Sequence, residues 1–157
     1  MDKIFFEIEP RQQNNETIYV VKIQMSDLLK DKQSDIKLTR KVEHLENLYL
    51  ETVKFCSQQL AEITKATNQQ RLFLYWSIAD KLWQYLTISD REGFFLNYAN
   101  KHFARDLSIS ERTIRRLLMF RKNINNNSQL DPKKLWSYYT RRYYRLKEKV
   151  SDNDKKI

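Results

Sequence analysis

The amino-acid sequence predicts a mainly α-helical protein, a helical bundle that contains a helix-turn-helix and is preceded by an N-terminal β-hairpin. Only one Gly and two Pro occur in 157 residues, and so few helix breakers favour long helices. Apolar residues alternate near the N-terminus, which is typical of strands, and from residue 38 onward they recur every three or four positions, as in amphipathic helices. We therefore expect a hairpin and linker over residues 1–35, a helical domain over residues 36–150 with the helix-turn-helix at 98–120, and a frayed tail over residues 151–157.

Two N-terminal runs have the alternation of β-strands, with the polar segment 10–16 as their expected connection. Their apolar positions are Ile4, Phe6 and Ile8 in the first run and Tyr19, Val21, Ile23 and Met25 in the second. An isolated hairpin is marginally stable in water. It is therefore expected to pack on the helices, to pair with a second copy, or to add to a partner's sheet.

The middle of the chain predicts two long helices. From Leu38 to Thr64 an apolar stripe runs through Tyr49 and Cys56, which suit a bundle core better than a coiled-coil seam. Residues 66–70 interrupt the pattern only weakly. The next helix is the most apolar and is expected to be the central one, with residues 87–93 connecting it onward; its stripe is Leu72, Tyr75, Trp76, Ala79, Leu82, Trp83 and Leu86.

Residues 98–120 have the pattern of a helix-turn-helix. Ala104 is small where two helices would cross closely, and Ser110 can cap the second helix after the turn 108–110. The apolar residues expected between the helices are Phe103, Leu107, Ile109, Ile114, Leu117 and Leu118.

A last helix is expected to begin at Asp131-Pro132, an N-cap acid followed by Pro. One stripe is expected to face the core, and it consists of Leu135, Trp136, Tyr139, Tyr143 and Leu146. Beside it, Arg141, Arg142 and Arg145 are candidates for auxiliary phosphate contacts, and the interleaved tyrosines leave base stacking open as the alternative.

The charge distribution points to a polyanion. The net charge is +9, with 13 Lys/Arg against 14 Asp/Glu in residues 1–100 and 16 against 6 in residues 101–157. Neutralisation of phosphates supplies most non-specific affinity for nucleic acids. The alternative is a solvated basic face without a partner.

If the second helix of the motif enters the major groove of double-stranded DNA, its leading residues face the bases. Arg suits bidentate contact with guanine, and Glu can accept from cytosine. The predicted base-facing residues are Ser110, Glu111, Arg112, Arg115 and Arg116; the predicted phosphate contacts are Lys101, Arg105, Arg121 and Lys122, with Thr113 bonding phosphate or backbone. The alternatives are a basic face that is merely hydrated or one that binds another protein.

Other classes of site have no matching pattern. No nucleophile, paired-carboxylate or Gly-rich phosphate pattern is present, so we expect no catalytic residues, no enzyme activity and no cofactor. Cys56, His44 and His102 are too scattered to suggest a metal site. The chain has no secretory leader pattern and no long apolar run, so we expect a cytoplasmic protein that does not enter membranes.

Two segments, residues 70–82 and 103–121, resemble a bacterial family. They contain a helix with the pattern Leu-Tyr-Trp-x-Ile, the dipeptide Leu-Ser, a second helix that begins at Ser, and a final stretch rich in aromatic residues and Arg. This pattern resembles the helical N-terminal domain of YhcG-type nucleases over roughly residues 60–125, although the family usually has Gly where Ala79 stands. The resemblance implies a DNA-associated helical module that is normally fused to a PD-(D/E)xK nuclease, which this sequence is expected to lack.

The sequence thus predicts a bacterial, homodimeric DNA-binding protein, either a transcriptional regulator or the DNA-recognition component of a mobile-element or defence system. Binding could be specific for sequence or for DNA structure. The alternative is a protein-interaction module whose aromatic-rich helices dock a separate nuclease or toxin.

Overall fold

The computed structural model describes residues 3–23 and 35–143. Two strands, β1 (Ile4–Gln13) and β2 (Glu16–Ile23), are followed by two long helices, α1 (Asp35–Ile63) and α2 (Asn68–Arg91). Then come β3 (Phe94–Leu96), α3 (Ala99–Leu107), α4 (Glu111–Asn123), a 3-10 turn at Asn127–Gln129 and a π-helical segment at Tyr138–Tyr143. The mostly helical architecture and the N-terminal hairpin are confirmed. The predicted tail 151–157 lies outside the described residues.

The hairpin is longer and tighter than its sequence pattern suggests. The expected seven-residue connection 10–16 is wrong, because β1 and β2 pair down to Gln13 and Glu16. Asn14 and Asn15 alone make the turn, with φ of 50° and 63°. Asn tolerates positive φ, which the favoured two-residue hairpin turns require. Pro10 fits within β1 because the strand has only β2 beside it there, and an edge position tolerates the missing N–H donor.

A third strand, β3, completes a sheet of order β2-β1-β3. It runs parallel to β1, with Ile4 opposite Phe94 and Phe6 opposite Leu96. The sequence prediction of a simple connection over 87–93 is wrong, since α2 continues to Arg91 and Gly93 turns the chain at φ +87°. Three residues are too short for alternation to identify a strand, and so β3 was not predicted.

The break between the long helices is well defined. Thr67 is the N-cap of α2; its Oγ1 accepts from the Gln70 N–H at 3.3 Å, and the Gln70 side chain accepts from the Thr67 N–H at 3.0 Å. Each side chain satisfies a backbone donor of the other residue, which is the capping box of a helix start. Helix α2 therefore begins anew rather than continuing α1.

One hydrophobic core joins the sheet to the helices. Helix α1 contributes Tyr49 and Cys56, both fully buried as expected for bundle packing. The hairpin belongs to this core through its inward-facing Phe6, Ile8 and Val21. Of the three arrangements expected for it, packing on the helices is therefore the one observed. The central helix α2 contributes Leu72, Ile78, Ala79, Leu82 and Tyr85.

The C-terminal segment differs from its predicted form. Residues 132–134 form a turn, and helical backbone begins at Trp136 rather than at Pro132. The Asp131 carboxylate accepts from the Lys133 N–H and its carbonyl accepts from the Lys134 N–H, each at 3.0 Å, and together these bonds close a single turn that does not continue as a helix. Trp136 and Tyr139 pack on Phe120 with ring centroids 4.9 and 5.5 Å away, in agreement with a core-facing stripe.

One member of that predicted stripe lies outside the core. Leu135 is 51% exposed, so its assignment to the core is wrong. It precedes the helical turn and therefore does not share its face. Leu146 lies outside the described residues, as does Met25 of the predicted second strand.

Candidate nucleic-acid interface

Helices α3 and α4 are joined by a three-residue turn. Ser108 has φ of 55° and ends α3, and the Ile109 N–H donates to the Ala104 carbonyl at 3.1 Å. Ser110 is the N-cap of α4, where its Oγ accepts from the Thr113 N–H at 3.1 Å. The cap expected at Ser110 is therefore confirmed, and it fixes where α4 begins.

The contact between α3 and α4 is apolar and close. Ala104, 8% exposed, has only a methyl group, which lets the helices approach. The side chains buried with it are Phe103, Leu107, Ile114 and Leu117, while Ile109 and Leu118 are partly buried against the same core. The inward face of the pair is thus the one that the sequence predicts.

Helix α3 is fixed to α1 and the hairpin by a polar network around Asp106. Tyr49 Oη donates to Asp106 Oδ2 at 2.5 Å, and Arg105 donates to both carboxylate oxygens at 2.9 and 3.1 Å. Arg105 Nη2 also donates to the Ile8 carbonyl at 3.1 Å. Burial, together with the bond to Asp106, raises the pKa of Tyr49 far above its usual value, so this phenol remains a donor.

Helix α4 is fixed to α2 by a second charged pair. Arg121 Nε donates to Asp80 Oδ1 at 2.7 Å, and the two side chains are only 17% and 21% exposed. The guanidinium also lies 5.7 Å from the ring centroids of Trp76 and Trp83. The structure thus engages both Arg105 and Arg121, predicted phosphate contacts, in bonds that hold the helix pair in place.

The outward face of α4 has a different electrostatic character. Arg112, Arg115 and Lys122 are exposed, and Arg116 is half-buried. Among residues 3–23 and 35–143, no carboxylate forms an ion pair with any of these four cations. We call Arg112, Arg115, Arg116 and Lys122 the α4 basic face.

The three arginines of the α4 basic face border one cavity of about 260 Å³. Its other walls are Met119 and Phe120 of α4 and Tyr139 and Thr140 of the π-helical segment. The C-terminal segment therefore flanks the basic face. For Arg141 and Arg142 of this segment the structure describes only the backbone, and Arg145 lies outside the described residues.

The remaining predicted contacts lie at the start of α4. Ser110 and Thr113 share a hydroxyl–hydroxyl hydrogen bond of 2.8 Å in addition to the cap, so both hydroxyls have structural roles. Glu111 borders a separate cavity of about 400 Å³ together with Lys101, whose ammonium lies 5.6 Å from the Tyr98 ring centroid. Lys101 and Glu111 are thus neighbours across one opening, while the arginines lie further along α4.

The aromatic side of the cavity next to Lys101 and Glu111 was not predicted from the sequence. Phe95 and Tyr98 border it, and they are 46% and 68% exposed. Phe95 faces outward because it lies between the inward-facing Phe94 and Leu96 of β3. The alternation after Gly93 was the available signal, but it spans only three residues.

Comparison of the chain with protein-family models, with curated proteins and with solved structures finds no match. The resemblance to YhcG-type nucleases in residues 70–82 and 103–121 stays a prediction from those motifs. Within residues 3–23 and 35–143, no helix combines the length and the apolar character needed to cross a bilayer.

Proposed function

We propose that this protein binds DNA, with α3, the turn 108–110 and α4 acting as a helix-turn-helix whose second helix enters the major groove. The observation that supports this most is the α4 basic face, where exposed guanidinium groups have no carboxylate partner among the described residues. Unpaired arginines on one helix can contact guanine O6 and N7 or phosphate oxygens. The surplus of positive charge in residues 101–157 favours the same polyanionic partner.

Rigid support of α4 adds to the proposal. The Tyr49–Asp106–Arg105 network fixes α3, and the Asp80–Arg121 pair fixes α4. A recognition helix must keep its side chains in register with the base edges, and hydrogen bonds to charged, partly buried side chains supply such positional control. Arg105 and Arg121 are therefore positioning residues in the proposal.

The direct contacts in the proposal divide by position along α4. Arg112 and Arg115 are the base-reading candidates, since both are exposed in the first half of the helix. Arg116 and Lys122 would bond phosphates, as would Lys101 at the end of the helix pair nearest Tyr98. A regulatory or mobile-element role, a homodimer and a separate nuclease partner remain predictions from the sequence.

The test is DNA binding by the full chain with the triple substitution Arg112→Ala, Arg115→Ala and Arg116→Ala. Fluorescence anisotropy on a duplex of about 20 base pairs, between about 50 and 200 mM salt, gives the affinity and its salt slope. We expect the triple variant to lose at least about tenfold in affinity. Its salt slope should become shallower by about 1, because Arg116 is the one of the three assigned to a phosphate and each phosphate contact contributes about 0.9.

A matched control removes the same charge from another surface. Lys37, Lys54 and Lys65 are exposed in and just after α1, and their replacement by Ala also lowers the net charge by three. The control should retain affinity close to that of the wild type. Equal losses in the two triple variants would show that net charge alone attracts DNA, and absence of binding by the wild type would refute the proposed function.

A further inference from the structure

An exposed aromatic patch lies beside the start of α4. Phe5 and Phe95, opposite each other on β1 and β3, are 44% and 46% exposed, and their ring centroids are 5.3 Å apart. Tyr98 follows at the start of α3 and is 68% exposed. We call Phe5, Phe95 and Tyr98 the aromatic patch. Contiguous apolar groups left open to solvent mark a binding surface more often than scattered ones do.

Two members of the aromatic patch, Phe95 and Tyr98, border the cavity of about 400 Å³ that Lys101 and Glu111 also border. Sites for small molecules have volumes of about 300 to 1,000 Å³. Glu111 is the first residue of α4 and directly precedes Arg112, so the cavity and the α4 basic face both involve the first turn of this helix. A ligand that spans both surfaces would have an anionic part and a flat apolar part.

Tyr98 has an unusual backbone for its residue type. Its φ and ψ are 53° and 41°, in the left-handed region that non-glycine residues seldom adopt. Such strained conformations persist where the surrounding structure enforces them, and they cluster at ligand sites. At this position the strained backbone coincides with the most exposed ring of the patch.

The side chains around the cavity match the groups of a nucleotide. The rings of Phe95 and Tyr98 offer stacking surfaces, and Lys101 offers a cation to a phosphate. Glu111 has no ion-pair partner among the described residues, and its carboxylate can only accept hydrogen bonds when ionised. It would repel a phosphate, whereas the exocyclic amine of adenine, cytosine or guanine would donate to it.

We propose that this cavity binds one unpaired, amino-bearing nucleobase next to the duplex that α4 contacts. The inference rests on the proposed DNA-binding function and narrows it to DNA of particular structure. A base within a regular duplex has both faces stacked on its neighbours, whereas an unpaired or extruded base has a face free to stack on a protein ring. Thymine, which has no exocyclic amine, is bound less well.

The experiment compares three probes by fluorescence anisotropy with the full chain. They are a fully paired duplex, the same duplex with one unpaired adenine, and the same duplex with one unpaired thymine. Wild-type protein should bind the unpaired adenine about tenfold tighter than the paired duplex, because stacking on a protein ring contributes on that order for each base. Binding of the unpaired thymine should be intermediate.

Variants of the patch separate base stacking from duplex binding. Tyr98→Ala and Phe95→Ala should abolish the preference for unpaired adenine while leaving the affinity for paired duplex unchanged. Tyr98→Gly is the second variant if Tyr98→Ala fails to fold, because Gly readily adopts positive φ. Leu135→Ala is a control, since Leu135 is also apolar and 51% exposed but has no ring and lies outside the patch. Glu111→Ala should abolish only the preference for adenine over thymine.

The outcomes distinguish the two proposals. The base-binding inference would be overturned if the wild type bound all three probes with equal affinity. DNA binding would still stand if the triple arginine variant lost affinity for the paired duplex as expected. A wild-type dimer that Phe95→Ala converts to a monomer in light scattering would also overturn it, because the patch would then bind a second copy. If the wild type binds none of the probes, both proposals fail.

Discussion

The hydroxyl of Tyr49 offers a sharp test of how the helix pair is supported. Its side chain is fully buried, and the hydroxyl donates at 2.5 Å to an Asp106 carboxylate that is 4% exposed. Tyr49→Phe removes this donor and preserves the ring, which stacks on Phe103 and meets Tyr85 edge-on. The change therefore isolates one hydrogen bond between α1 and α3.

The expected loss follows from the kind of bond. A hydrogen bond to a charged group contributes about 1.5 to 3 kcal/mol to stability. Arg105 still donates to both oxygens of Asp106 in the variant, so the carboxylate retains partners. We expect the free energy of unfolding to fall by about 2 kcal/mol, in the lower part of that range.

Tyr85→Phe is the matched control, and its expected sign is opposite. Tyr85 is 1% exposed, and its ring centroid is 5.4 Å from that of Tyr49, but its hydroxyl has no hydrogen-bond partner among the residues the structure describes. An unpaired buried hydroxyl costs free energy, so its removal should be neutral or stabilising by up to about 1 kcal/mol.

Urea unfolding of both variants, with midpoints compared at constant slope, measures the two effects. Equal destabilisation by both substitutions would refute the reasoning, because ring repacking would then explain the result. A loss below about 0.5 kcal/mol in Tyr49→Phe would likewise contradict the bond's assigned role.

Three further predictions concern the same supporting structure. Ser110→Ala removes the side-chain acceptor of the Thr113 N–H at the start of α4 and should lower the unfolding free energy by about 1 kcal/mol, measured in urea. Gly93→Ala should lower the unfolding free energy by about 1 kcal/mol because φ is +87°, although no atom lies within 4 Å of the added Cβ. Gly93→Asn should lower it by less, because Asn tolerates positive φ better than Ala does. Burial and the nearby charge of Arg105 lower the pKa of His102 from 6.5, so the unfolded chain binds the proton more tightly. The stability that His102 contributes is therefore complete above pH 6.5 and is lost as the pH falls below it. In His102→Gln the free energy of unfolding should depend less on pH in this range.

Controls separate these effects from general ones. An unchanged pH curve in His102→Gln would contradict the role assigned to that imidazole. For the cap, Ser110→Thr retains a hydroxyl acceptor and should recover most of the stability lost in Ser110→Ala; equal losses in the two variants would count against the cap.

Most of the helical layout could be predicted from the sequence, because helix formation depends on spacings within a few residues. The burial of Tyr49 and Cys56 followed from the three-and-four spacing in α1, and the cap at Ser110 followed from its place before the second helix. The errors concern short or competing local signals. Asp131 closes a turn instead of starting a helix, and the three residues of β3 give no usable alternation.

The candidate site was predictable only in outline. A sequence shows that Arg105, Arg112, Arg115, Arg116 and Arg121 lie on or near one motif, but not which of them have carboxylate partners. Packing brings Asp80 to Arg121 from 41 residues away and orients the Asp106 carboxylate toward its neighbour Arg105. The remaining three arginines have no such partner among the described residues.

By itself, the sequence determined the strands of the hairpin, the long helices, the small residue and cap between α3 and α4, and the surplus of positive charge toward the C-terminus. All of these depend on composition or on residues close together in the chain. Only the tertiary structure decided which charges are neutralised and which aromatic rings stay exposed. Those properties depend on contacts between distant segments, such as β1 against β3 and α1 against α3, and local spacing contains no information about them.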